Sequence, residues 1–315
     1  MGPLVFLILF YSVYHQVQQQ NWQQSFSQIK SAVTGSQQWK IWMTIALMVA
    51  NWGLEARKWQ LCIRELEHVS FLKAFGAILA GTAIASFTPN RVGEYLGRML
   101  YIEEGKRLQS ISLSIICSIS QVLVTMIAGI IGLFYLQKIP HARLFHDTHI
   151  GQIGRDIFFI GIGFSIILGA VIYFRLPAMV RFSEKMHWKK IFTQVRVLKD
   201  VKLTILFNIL SLSFARYIVF ILQYYLLFTL FGVAITWGQT FAGISIMFLL
   251  IAVVPTFTFL TDLGLRWEAG LQIIKLFNSN TTGIFAVTLG IWLINLIIPA
   301  LIGSLLILRI KLFRS

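Results

Sequence analysis

Long apolar stretches alternate with short basic ones along this chain. Four of them are uncharged or nearly so and have about the length, roughly 20 residues, that a helix needs to cross a bilayer. They are 110–136, 157–174, 203–231 and 283–308. Two shorter stretches, 2–17 and 41–54, bring the prediction to about six spanning helices.

Two further apolar stretches are interrupted by polar segments that contain proline. The first breaks at 88–91 and the second at 255–264. Proline removes helical hydrogen bonds, and backbone opened at membrane depth must be buried in protein or line a cavity. We interpret the two stretches as re-entrant helical hairpins at 74–105 and 240–277. Straight spans followed by surface helices are the alternative.

The positions of lysine and arginine predict how the helices are oriented. The connection 175–202 carries eight of these residues, and the C-terminal tail carries three, which predicts that both are cytoplasmic. Both can be cytoplasmic only if the second hairpin enters and leaves on the outer side, whereas the basic flanks of the first hairpin place its ends inside. The half 157–315 then repeats the half 1–136 upside down, an inverted repeat typical of transporters, with both termini cytoplasmic. Two ordinary spans without a repeat remain the alternative.

The composition fits a membrane protein rather than a soluble one. Hydrophobic residues make up 57% of the chain and charged residues 12%, and the mean hydropathy is +0.75. We therefore predict an all-α polytopic membrane protein with a single transmembrane domain over 1–315. The net charge of +15 lies between the apolar stretches, which indicates membrane topology and no nucleic-acid partner. Cys62 and Cys117 are interpreted as packing residues.

Several charged residues fall inside the predicted membrane region, where a charge is costly and faces a cavity or a partner. Arg216 lies near the middle of the stretch 203–231. The other candidates are Arg91, Glu94 and Arg98 at the first break, and Asp262, Arg266 and Glu268 at the second. The residues expected to shape the breaks are Pro89, Asn90, Gly93, Pro255 and Gly264. Glycine at 264 is expected to allow a tight turn.

These charges predict a cationic cavity, tempered by carboxylates, that suits an anionic or zwitterionic lipid headgroup. If 92–102 is helical, Arg91, Glu94 and Arg98 share one face. Thr88 and Asn90 could cap the first amides of that helix. Local ion pairs that hold each hairpin together are the alternative. Polar residues within the spans, such as Gln121 and Asn295, are interpreted as bonding between helices.

Signs of catalysis are weak. The chain has no glycine-rich phosphate loop, no nucleophile elbow and no cysteine pair at metal-binding spacing. His141, His146, Asp147 and His149 are interpreted as a polar outer loop, and their binding of a metal is left open. We expect no cofactor and favour transport over catalysis.

The first break resembles a motif of a known family. Residues 88–98 read Thr-Pro-Asn-Arg-Val-Gly-Glu-Tyr-Leu-Gly-Arg, similar to the Pro-x-x-x-Gly-Glu-x-x-x-Arg stretch of the lysylphosphatidylglycerol synthase transmembrane-region family. Residues 261–266 resemble that family's Gly-Gly-Leu-Gly-x-Arg-Glu stretch. Here Thr261 and Asp262 replace the paired glycines, and Glu268 comes one residue late.

The resemblance implies a flippase-like protein of the bacterial cytoplasmic membrane that handles anionic or aminoacylated phospholipids. The chain ends seven residues after the last predicted span, so a synthase activity is expected from a separate lipid-modifying enzyme. A homo-oligomer is compatible with this reading. The favoured function is translocation of a phospholipid or lipid-linked headgroup. The alternatives are a transporter of a small soluble anion, an intramembrane lipid-modifying enzyme acting through Glu94 or the histidines, and a non-catalytic scaffold.

Overall fold

A computed structural model describes residues 34–139, 149–184, 192–254 and 259–313. The helices are α1 (Trp39–Ile63), α2 (Phe71–Ala85), α3 (Gly93–Met99), α4 (Arg107–Gln137), α5 (His149–Glu184), α6 (Phe192–Val195), α7 (Leu203–Leu230), α8 (Trp237–Val253), α9 (Phe259–Ile274), α10 (Thr281–Trp292) and α11 (Ile298–Phe313). The described residues contain no strand, which confirms the all-α prediction. The predicted stretch 2–17, Pro255 and the cluster from His141 to Asp147 lie outside the described residues.

Four helical segments are long and apolar enough to cross a membrane. They are Glu104–Gln137, Phe159–Phe182, Leu203–Leu230 and Thr281–Arg309. Each coincides with one of the long predicted spans, so the protein is a multi-pass membrane protein.

Two helices continue beyond their predicted ends. α1 runs on past residue 54 because Glu55 and Lys58 are buried among partners in the bundle and do not mark a surface. α5 runs on past Arg175, where the basic connection was predicted to begin, and includes Pro177. Near its end, Arg181 donates hydrogen bonds to the carbonyl oxygen of Lys199 at 2.8 and 3.1 Å, which fastens the helix to the following segment.

The first interrupted stretch forms two helices separated by a short break, and the second contains two helices on either side of residues 255–258. α2 and α8, the first helix of each pair, begin with the same kind of cap. The hydroxyl of Ser70 accepts a hydrogen bond from the amide of Lys73, and the hydroxyl of Thr236 accepts one from the amide of Gln239. In the second pair α9 begins at Phe259, before Gly264. The tight turn predicted at Gly264 is therefore wrong: this glycine is buried within a helix.

Glycines let α2 and α3 fold tightly against each other. A methyl group added at Gly97 would overlap the backbone of Gly81, and one added at Gly93 would lie 2.6 Å from the carbonyl oxygen of Ile84. Because residues later in α3 meet residues earlier in α2, the two helices run antiparallel as a hairpin. We call α2 and α3 with their break the first hairpin (71–99), and α8 and α9 with theirs the second hairpin (237–274). Re-entry of either hairpin into a bilayer stays a prediction.

The two halves of the chain exchange their last helices. Gly132 of α4, in the first half, packs against Ala242 of the second hairpin. A methyl group added at Gly132 would lie 2.8 Å from the carbonyl oxygen of Ala242. Gly303 of α11, in the second half, packs even more closely against Leu79 of the first hairpin. Small residues let helix backbones approach in this way in membrane proteins. The exchange is reciprocal, and the inverted repeat itself remains a prediction.

Two apolar clusters fill the described bundle, and polar residues lie where they meet. On α7, Ile209 belongs to the cluster around the first hairpin and Tyr217 to the cluster around the second. Ser213 and Arg216 lie between them on the same helix. The fold therefore places the predicted membrane charge at the boundary of the two clusters.

Candidate substrate cavity

A cavity of about 530 Å³ lies at this boundary. Asn90, Arg91 and Glu94 of the first hairpin line it, and so do Asp262 and Arg266 of the second. Side chains of α1, α4, α7 and α10 complete the wall. Five of the seven predicted substrate-binding residues thus line one cavity, because Arg216 lies there as well.

Glu55 of α1 is the centre of the charge network beside this cavity. Its Oε1 accepts a hydrogen bond from Arg98 at 2.9 Å, and its Oε2 accepts one from Arg216 at 2.9 Å. Lys58 lies 2.7 Å from the same Oε2. The side chains of Glu55, Lys58 and Arg98 are almost fully buried, each at most 4% exposed. One carboxylate therefore joins three helices through three cations.

Arg216 is held by α1 on one side and by aromatic rings on the other. Its Nε donates to the side-chain oxygen of Asn51 at 2.6 Å. Its guanidinium lies 5.2 Å from the centre of the Trp52 ring and 5.5 Å from that of Phe220. Asn51, Trp52 and Glu55 fall on one face of α1 because they are spaced by a helical turn. These contacts fix the guanidinium beside the cavity with little freedom to turn.

The first hairpin brings its three predicted charges together. Arg98 donates to Glu94 as well as to Glu55, and both bonds use its Nη2. Arg91 lies 3.9 Å from Glu94 and is the most exposed of the group, with 37% of its side chain accessible. Its backbone and that of Asn90 are left-handed, with φ of 58° and 50°. Thr88 caps α3 by accepting from the amide of Gly93 at 2.8 Å, as the sequence predicted.

The second hairpin holds its charges differently. Arg266 donates two hydrogen bonds to Asp262, four residues earlier on the same helix, at 2.7 and 3.2 Å. Its guanidinium lies 6.0 Å from the ring of Phe248. Glu268 accepts a hydrogen bond from Gln272 and does not line the cavity. The structure therefore brings Asp262 and Arg266 to the site and leaves Glu268 away from it.

Several site residues were missed or misread in the sequence. Glu55 was placed at the end of the predicted span 41–54, and Lys58 was counted among the basic residues before the first hairpin. Their spacing with Asn51 nevertheless places all three on one helix face. Gln121 and Asn295 were taken as helix-to-helix contacts, yet both line the cavity. Asn295 lies in a π-helical turn, Leu293–Ile297, between α10 and α11. Such turns are frequent at functional sites, but this sequence gives no signal for one.

The described residues hold no group of three or more histidine, cysteine or acidic side chains that could bind a metal ion. What the cavity offers is guanidinium and ammonium groups, held in place by carboxylates and aromatic rings. Guanidinium groups pair well with phosphate and carboxylate groups. The arrangement can therefore bind an anion.

Comparison with known proteins agrees with the motif at the first break. A family model described as the lysylphosphatidylglycerol synthase transmembrane region matches residues 2–303, nearly the whole chain. No curated protein and no solved structure gives a significant match. The family and the four spanning segments together indicate a multi-pass membrane protein involved in lipid handling. The chain belongs to the lysylphosphatidylglycerol synthase transmembrane-region family.

Proposed function

We propose that this protein translocates a phospholipid or a lipid-linked headgroup across the bacterial cytoplasmic membrane. The observation that carries the proposal is that charged residues of both hairpins line one cavity together with Glu55, Lys58 and Arg216. In the predicted topology the hairpins enter from opposite sides, so this cavity lies near the middle of the bilayer. The arginines bind the phosphate there, and both termini face the cytoplasm.

The rim of the cavity favours a lipid over a soluble anion. Val122 and Val253 both line the cavity and have 46% and 75% of their surface exposed. Apolar side chains at an opening suit acyl chains that stay in the bilayer while the headgroup enters. A carrier of a small soluble anion needs no such apolar exit.

Movement follows from the reciprocal packing of the halves. Because each half contributes its last helix to the other, a rocking of one hairpin shifts the helix that packs on it. A headgroup bound between the hairpins would then face one side of the membrane and afterwards the other.

The test is the leaflet accessibility of fluorescent phospholipids in proteoliposomes of the full chain. We expect translocation by the wild type and a loss of at least about tenfold in Arg91→Gln, since a phosphate contact would be lost. Arg91 is well exposed, so this variant should fold. The matched control is Arg57→Gln, because Arg57 is exposed and lies outside this cavity.

Arg216→Lys is the second variant, since it keeps the charge beside Glu55 and removes the planar guanidinium. It should translocate more slowly than wild type while the folded protein elutes normally in detergent. If the wild type moves no lipid but carries inorganic phosphate, the alternative of a soluble-anion transporter is correct. Equal translocation by all variants would remove the arginines from the mechanism.

A further inference from the structure

The charges around the cavity do not balance. Asp262 and Arg266 form a neutral pair with two hydrogen bonds. The remaining cations are Lys58, Arg91, Arg98 and Arg216, and the described carboxylates in contact with them are Glu55 and Glu94. Both carboxylates contact at least two cations, which favours their charged form. Four cations against two carboxylates leave an excess of two positive charges.

The hydrogen bonds show the same excess. Arg98 has 2% of its side chain exposed, and its Nε and Nη1 have no hydrogen-bond partner within the described structure. Buried charged donors without partners are rare and unfavourable. The bonds of Arg216 to Asn51 and Glu55 use Nε and Nη1, and Arg91 is too far from Glu94 for a hydrogen bond, at 3.9 Å. Arg91 and Arg216 line the cavity, so their unused donors are available to a ligand. Arg98 does not line it, and its unpaired donors add to the positive excess of the network that contacts Glu55 and Glu94.

We infer that the cavity selects a lipid headgroup with two negative charges, a phosphomonoester or a diphosphate, over phosphodiester and aminoacylated headgroups. The inference rests on the proposed function and specifies its substrate class. A phosphomonoester carries between about −1.5 and −2 at pH 7 and has three acceptor oxygens. A phosphomonoester therefore neutralises the excess positive charge of the cavity. A phosphodiester leaves about one positive charge unneutralised, and the ammonium groups of an aminoacylated headgroup add further positive charge.

The lining also offers acceptors for the hydroxyl of a partly protonated phosphate or of an attached sugar. The side-chain oxygens of Gln121 and Asn295 have no hydrogen-bond partner in the described part of the chain, and both residues line the cavity. Donors and acceptors in the same cavity fit a phosphate ester that carries hydroxyl groups.

The test is binding and translocation by the full chain with four probes. They are short-chain phosphatidic acid, phosphatidylglycerol, lysylphosphatidylglycerol and inorganic pyrophosphate. At pH 7.5 phosphatidic acid should bind about tenfold more tightly than phosphatidylglycerol, because its second negative charge forms a further charge pair with the arginines. Lysylphosphatidylglycerol should bind most weakly of the lipids.

Two controls connect this preference to charge. Arg91→Gln lowers the excess positive charge to one. The affinities for phosphatidic acid and phosphatidylglycerol should then differ by no more than about threefold, while Arg57→Gln should keep the full preference for phosphatidic acid. Lowering the pH from 7.5 to 5 protonates the phosphomonoester, whose second pKa is about 6, and should also remove the preference without any change in the protein's arginines.

The outcomes separate the inference from the proposed function. If phosphatidylglycerol or lysylphosphatidylglycerol binds and crosses as well as phosphatidic acid, the dianion inference is overturned and lipid translocation stands. If pyrophosphate binds as tightly as phosphatidic acid and no lipid crosses, the dianion chemistry is supported and the lipid function is wrong. If no probe binds, both fail.

Discussion

Arg98 in the first hairpin reaches a carboxylate on α1, 43 residues away in sequence, whereas Arg266 in the second hairpin pairs with a carboxylate four residues away on its own helix. The first arrangement joins the first hairpin, α1 and α7 through Glu55. In the second arrangement both ion-pair partners lie on α9, and Arg266 also lies over the ring of Phe248 on α8. A hairpin tied to two other helices moves only if those contacts change, while a hairpin with its own ion pair can move as a unit. Under the proposed function, a headgroup would act on the first hairpin by competing with Glu55 for Arg216, which lines the cavity.

The largest expected effect on stability comes from removing the charge of the carboxylate that pairs with the arginine of each hairpin, Glu55 for the first and Asp262 for the second. Glu55→Gln leaves the buried Lys58 and Arg98 and the partly buried Arg216 without their shared partner, and it should lower the free energy of unfolding by about 3–5 kcal/mol. Asp262→Asn removes one pair that is partly exposed, so we expect a smaller loss of about 1–2 kcal/mol. Equilibrium unfolding in mixed detergent micelles, followed by circular dichroism, measures both.

Glu65→Gln is the control for this pair because Glu65 is exposed, and it should change stability by less than about 0.5 kcal/mol. A loss in Asp262→Asn equal to that in Glu55→Gln would mean that the second hairpin is tied to the bundle as strongly as the first. The distinction drawn between the hairpins would then be wrong.

The packing of the two hairpins differs as well, and a pair of glycine substitutions sharpens that difference. Alanine at position 97 would overlap the backbone of Gly81, and backbone atoms cannot turn aside as a side chain can. Gly97→Ala should therefore destabilise the protein by about 1–3 kcal/mol. Gly270 in the second hairpin has its nearest neighbours, Met247 and Thr288, at 3.5 Å from an added methyl group.

That space is enough for alanine, so Gly270→Ala should be neutral or slightly stabilising, by up to about 1 kcal/mol, because alanine favours the helix. The same unfolding experiment compares the two variants. Destabilisation by both to the same extent would show that the second hairpin packs as tightly as the first. Gly97→Ala should also lower the rate of lipid translocation, because the first hairpin would no longer pack as it does in the wild type, while Gly270→Ala should leave that rate near the wild-type value.

Sequence reasoning predicted what depends on local spacing. The four long apolar stretches appear as spanning helices, and the spacing of Glu94 and Arg98 gave the contact between them. It could not predict Glu55, whose partners Arg98 and Arg216 lie 43 and 161 residues away. A charged residue near the end of an apolar stretch looks the same whether it lies at a membrane surface or inside a network.

The role of Glu55 was missed in the sequence, whereas Gly264 was assigned a turn that the structure does not contain. Glycine in an interrupted stretch commonly indicates a turn, and the spacing of the neighbouring residues provided no reason to prefer a helix there. In the fold it is buried within α9. Composition and spacing therefore identify the elements, while the roles of single glycines and acids depend on which distant helices meet.

The smallest expected effect concerns the segments that tie each hairpin to the loop before it. In the first half, Glu67 accepts hydrogen bonds from the backbone amide of Glu103 and from Lys73, both at 3.1 Å. In the second half, uncharged Asn280 makes the corresponding contacts, donating to the carbonyl oxygens of Phe231 and Gly232. The first tie therefore depends on pH and the second does not.

Burial by itself raises the pKa of Glu67, but the amide of Glu103 and the ammonium group of Lys73 outweigh it and hold this pKa below its ordinary value of 4.5. A lowered pKa in the folded protein gives stability that is present above pH 4.5 and is lost as the pH falls through the folded value. Glu67→Gln should remove part of the stability lost by the wild type between pH 6 and pH 3. Glu104→Gln is the control, since Glu104 is 86% exposed, and an acid profile unchanged by Glu67→Gln would show that this carboxylate does not hold the first hairpin to its loop.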